Sequence, residues 1–91
     1  MSLSVVRSAQ IAVGLTAVRI AVGNSGGSII GLHQQGNSNH AIYLGGEGVT
    51  ISNGYLMHKG EHVQVTLPEG VALYAVADTT ETLFVLQTGG R

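Results

Sequence analysis

Cysteine and tryptophan are absent from this 91-residue chain, and proline occurs once. Without cysteine there is neither a disulfide framework nor a thiolate metal site, so a domain this small must be held by packing or by neighbours. Charge is scarce as well. Asp, Glu, Lys and Arg make up 10% of the residues, where an ordinary soluble domain carries about 25%, and between Ile20 and Gly46 there are none. The four cations, Arg7, Arg19, Lys59 and Arg91, are scattered and the net charge is −1. That leaves no basic stripe to neutralise phosphates, and nucleic acid is not an expected partner. No run approaches the roughly 18 apolar residues of a membrane span. Met1 to Arg7 lacks the basic, apolar and small-residue order of a signal peptide. The expectation is a product made in the cytoplasm and not anchored to a membrane.

Hydrophobic residues make up 44% of the chain. A monomer of this length would expose about 5,000 Å² and bury roughly 60% of its unfolded surface, a marginal core. Free monomers normally keep mixed charge on the outside for solubility, so the deficit points to a surface that meets other protein. One domain spanning residues 1–91 is expected, with 1–9 as an N-terminal arm that reaches a neighbour.

The stretch from Ala41 to Leu67 sets short apolar runs between glycine turns. Asn53-Gly54, between Val49-Thr50-Ile51-Ser52 and Tyr55-Leu56-Met57-His58, predicts a β-hairpin with a type I′ turn. Upstream, Ile11, Val13 and Leu15, then Val18, Ile20 and Val22, alternate with small residues and predict two strands joined near Thr16. Ser28 to Gln35 places Ile30 and Leu32 on one side and Ile29 and His33 on the other. His40 to Leu44 turns Ile42 and Leu44 inward and Tyr43 outward. Glu61 to Leu67 buries Val63, Val65 and Leu67, shows His62, Gln64 and Thr66 to the outside, and ends at Pro68, which cannot donate to a ladder. Val71 to Ala77 and Thr82 to Gln87 are apolar on both faces, as central or interface strands are. The reading is all-β: a compact antiparallel β-sandwich or small barrel of about seven or eight short strands.

Candidate chemistry is thin. His58 and His62, four apart, lie roughly 13 Å from each other along a strand. His33 and His40 flank one predicted loop, but no cysteine or nearby carboxylate completes a metal set. Glu47, Glu61, Glu69, Asp78 and Glu81 mostly fall at predicted turns, as solvated ends. Gly45-Gly46-Glu47-Gly48 lacks the following helix and the Gly-Lys-Ser/Thr ending of a phosphate loop. Neither catalytic residues nor a cofactor or metal site is expected, and the chain is read as no enzyme. Tyr43, Tyr55, Tyr74 and Phe84 are the only aromatics; such rings bury large area at low entropic cost and anchor partners.

Ile42-Tyr-Leu-Gly-Gly-Glu-Gly-Val-Thr50, then Asn53-Gly-Tyr-Leu, Lys59-Gly-Glu61, Val63 to Leu67 and Ala72-Leu-Tyr-Ala-Val-Ala77 resemble a group of small tailed-bacteriophage virion proteins. The resemblance covers about Val18 to Gln87, with Met57-His58-Lys59 bulkier than the group's usual turn. It implies a β-sandwich used in many copies as a minor capsid or capsid decoration protein. The expected partners are further copies of itself, as a homotrimer, and the major capsid protein, at the capsid surface of the virion. The interface candidates are Val5, Tyr43, Tyr74, Phe84 and Leu86. A tail or head-tail connector component is the alternative within the virion. A carbohydrate-binding host-adhesion module using exposed tyrosines is the alternative outside that class.

Overall fold

Eight strands form, all paired antiparallel within their sheets, and no helix occurs among the described residues. The computed structural model describes residues 6–34, 41–58 and 60–89. The strands are β1 (Val6–Val13), β2 (Val18–Val22), β3 (Ser28–Gln34), β4 (Ile42–Gly45), β5 (Tyr55–Met57), β6 (His62–Leu67), β7 (Ala72–Ala77) and β8 (Glu81–Thr88). They make two four-stranded sheets, ordered β1-β8-β3-β6 and β2-β7-β4-β5. Strand 1 pairs with 8, 3 with 6, 2 with 7 and 4 with 5. The chain is thus one long hairpin with its tip between β4 and β5, rolled up so that β8 meets β3 and β7 meets β4. That is the order of an eight-stranded jelly roll, a sandwich that leaves short edges.

Alternation decides which side chains lie between the sheets. Val13, Ile30, Leu32, Leu67, Leu83 and Val85 point in from the first sheet, and Ile20, Ile42, Leu44, Met57, Leu73, Ala75 and Ala77 from the second, forming one cluster. Ile30, Ile42, Met57 and Leu83 have no accessible surface, and each such side chain contributes about 1.5–3 kcal/mol relative to exposure. The alternation expected for Ile30, Leu32, Ile42, Leu44, Val63, Val65 and Leu67 is the one observed. The two doubly apolar strands, β7 and β8, occupy inner positions of the two sheets.

Four expectations fail for local reasons. Val49–Ser52 is not a strand, and neither Asn53 nor Gly54 has positive φ. The partner of β5 is β4, and Thr50 to Gly54 closes a turn in which the Thr50 N–H donates to the Asn53 side-chain oxygen (2.8 Å) and the Gly54 N–H to the Thr50 carbonyl (2.9 Å). Val49 drives this departure. It is buried at 7% exposure, with its side chain in the space left by two glycines: a Cβ on Gly45 would stand 2.7 Å from it, and one on Gly54 2.9 Å. Second, Leu15 does not continue the apolar stripe of β1. It sits in the β1–β2 turn, 77% exposed. Third, β2 carries a bulge between Arg19 and Ala21, so Ile20 and Ala21 are both buried and the single apolar face through Val22 is broken. Fourth, residues 6–9 are not a free arm. They pair with β8 from Val6↔Thr88 to Ala9↔Val85, while residues 1–5, Val5 among them, lie outside the described residues.

Candidate functional site

The outer faces of the two sheets differ. On the second, the segment after β4 folds back over the strands. Val49 is buried against Gly45 and Gly54, a Cβ on Gly54 would stand 2.6 Å from that of Tyr43, and Val76, paired with Tyr43, is only 4% exposed although it points away from the main core. Among the described residues, nothing covers the first sheet in this way.

Register lays out that open face in three transverse rows. Gln10, Phe84, His33 and His62 form one, Ser8, Leu86, Gly31 and Gln64 the next, and Val6, Thr88, Ile29 and Thr66 the third. None of these positions, nor the outward Ala12 and Thr82 beyond them, carries Lys, Arg, Asp or Glu. Three large aliphatics stand out from it: Val6 at 70% exposure, Leu86 at 48% and Ile29 at 43%. A shallow groove of about 960 Å³ runs across its middle, lined by Ser8, Gln10, Gly31, His33, His62, Gln64, Phe84 and Leu86 among others. Gly31 forms its floor: among the described residues, a Cβ there would meet the Leu86 carbonyl oxygen at 3.7 Å and Cβ at 4.0 Å.

At one end of the groove the imidazoles of His33 and His62 stack, with ring centroids 4.2 Å apart and planes 8° from parallel. Phe84 flanks His33 at 6.0 Å. The nitrogen lone pairs of an imidazole lie in its ring plane, so parallel rings aim them side by side rather than at a shared ion. No group of three or more His, Cys, Asp or Glu suited to a metal occurs among the described residues. Two carboxylates serve turns: Glu61 Oε1 accepts from the His58 N–H (2.8 Å) and Glu69 Oε1 from the Gly26 N–H (3.3 Å).

The interface candidates separate by sheet. Phe84 and Leu86 lie on the open face of the first sheet. Tyr43 and Tyr74 lie on the covered side of the second, both half-buried. Tyr43 and Tyr55 do not share a platform, because Tyr43 pairs with Leu56 and Tyr55 with Leu44 across β4 and β5. The His33–His62 stack escaped the sequence reading. Both side chains are expected outward, but their meeting requires the β3–β6 pairing, and two other strands intervene in the chain. The same holds for Gly31 beside Leu86.

No protein-family model matches the chain. No curated protein matches it either.

Proposed function

We propose that this chain is a non-enzymatic structural protein of a tailed-phage virion, a capsid decoration or minor capsid protein that binds the head shell as a homo-oligomer. The observation that carries this reading is the uncharged outer face of the β1-β8-β3-β6 sheet, which no described residue covers, on a domain whose other sheet is covered by its own loop. Fixed interfaces deplete charge at their centre and present apolar side chains ringed by neutral polar ones. The resemblance of Ile42 to Ala77 to small virion proteins adds the setting, with the major capsid protein as the larger partner and a trimer as the expected oligomer. A jelly roll alone specifies no function, so the weight rests on this face and on that resemblance.

The test is position and copy number in intact particles, by quantitative mass spectrometry and cryo-electron microscopy. Hundreds of copies on the head are expected. A few to a dozen copies at the tail or connector would reassign the chain within the virion, and absence from particles would overturn the reading.

A further inference from the structure

We propose that the open face of the first sheet is the surface on which a second copy of this chain docks, with Leu86 of one copy seated over Gly31 of the next. The inference rests on the assembly reading above and adds the contact that the reading leaves open.

Leu86 and Gly31 are direct partners on the two inner strands of that sheet, β8 and β3. A half-exposed aliphatic ridge therefore stands beside a residue with no side chain, at the middle of the face. An axis running along the strands above the β8–β3 seam exchanges the two, placing the ridge of each copy over the trough of its neighbour. Closed oligomers have this property, residue i meeting j while j meets i across a two-fold. Only a two-fold makes this exchange, so the contact pairs two copies face to face.

The flanking chemistry also suits a second copy. Ser8 and Gln64 end the central row and Gln10 the next. The same axis lays Ser8 of one copy over Gln64 of the next and Gln10 over His62, and hydroxyls, amides and neutral imidazoles both donate and accept, so these pairs can bond across the contact. With no ion on the face, self-contact brings no like-charge repulsion between fixed charges. Four strands spaced at about 4.8 Å and six to eight residues long span roughly 20 by 25 Å. Side-chain relief raises this footprint of about 500 Å² toward the roughly 800 Å² per partner of a stable interface.

The test is sedimentation velocity on the full chain with three variants, each checked for an unchanged melting curve. Gly31→Val fills the trough, and the monomer accommodates it because a Cβ there makes only ordinary contacts and valine favours strands. Leu86→Glu puts a charge on the ridge. Ile51→Glu, at a half-exposed position off this face, is the control. The wild type should be a dimer, Gly31→Val and Leu86→Glu should each raise the dissociation constant at least tenfold, and Ile51→Glu should leave it unchanged. Should Leu86→Glu fail to fold, Gly31→Val decides alone. A monomeric wild type, or an oligomer indifferent to Gly31→Val, overturns the proposal. So does a face protected from exchange only when purified heads or a neutral glycan are added. Binding of the wild type to purified heads is scored separately: heads bound with no effect of Gly31→Val on self-association leave the virion reading standing without this contact. Self-association through Leu86 without head binding does the reverse.

Discussion

The side-chain amide of Gln87 donates to the main-chain carbonyl of Val22 at 2.8 Å, tying β8 of one sheet to β2 of the other. The same amide nitrogen donates to the Ser28 hydroxyl (3.1 Å), which also accepts from the Asn24 N–H (2.8 Å). Gln87 and Ser28 are buried at 5% and 3% exposure, so this end of the sandwich is closed by polar groups that water cannot replace. Gln87→Leu keeps the volume and removes the donor. It should cost about 1–3 kcal/mol for the carbonyl and hydroxyl left without it. At about 4–8 °C per kcal/mol for a domain of this size, the midpoint of thermal unfolding followed by circular dichroism should fall by at least about 4 °C. An unchanged midpoint would remove the clamp from this account.

Gly23 and Gly31 make a matched pair for the cost of a methyl group. A Cβ on Gly23 would stand 2.0 Å from the Pro68 carbonyl oxygen and 2.8 Å from that of Leu67. These backbone atoms are fixed by the bonds from Gly23 N–H to Val71 O (2.9 Å) and Gly70 N–H to Gly23 O (3.0 Å). Gly23→Ala must push two loops apart and should destabilise by about 2–3 kcal/mol. Gly31→Ala, in a strand with room, should be neutral or slightly stabilising. Urea titrations of both variants, run at a concentration where the oligomeric state is known, check the contrast.

Val49 anchors the segment that covers the second sheet. Val49→Ala removes two methyl groups from the space at Gly45 and Gly54 and should cost about 1–2 kcal/mol, most of it local. Amide exchange should therefore quicken across residues 46–57 before it does in β3 and β8. Uniform quickening across the chain would show instead that this segment is part of the global unfolding unit.

The parallel stack of His33 and His62 yields a negative prediction. With lone pairs side by side, equimolar zinc should leave the melting midpoint within 1–2 °C, because a ligand stabilises only through preferential binding to the folded form. A zinc-dependent rise that His62→Ala abolishes would show that the rings swing apart to chelate.

Much of the sandwich is written in local alternation. The inward sets of β3, β4 and β6 follow from period two, Pro68 marks the end of β6, and the doubly apolar Val71 to Ala77 and Thr82 to Gln87 announce inner strands. What alternation does not carry is pairing between distant strands. Val49-Thr50-Ile51-Ser52 has strand composition and precedes a hairpin dipeptide, yet the Val49 side chain gains more from the hollow at Gly45 and Gly54 than from a ladder. Ile20 and Ala21 are both buried because a bulge resets the phase, which no periodicity reveals. The candidate face was half legible: Phe84 and Leu86 could be named from the sequence, whereas their neighbours Gly31, His33 and Gln64 come from strands far away in the chain. Tyr43 and Tyr74, chosen because they oppose the inward aliphatics, do point outward, but the Val49 segment covers their side of the molecule.

Because Val6 stands opposite Thr88, the first and last paired residues leave the sandwich at one corner, a single ladder rung apart. A short glycine-serine bridge could join them and the circle be reopened at the exposed Leu15 turn, giving a permuted chain with the same eight-stranded roll. By the same geometry, cargo joined directly at Val6 or at Thr88 would emerge at a common corner, and an array of such molecules would present it at one regular spacing whichever of the two was chosen.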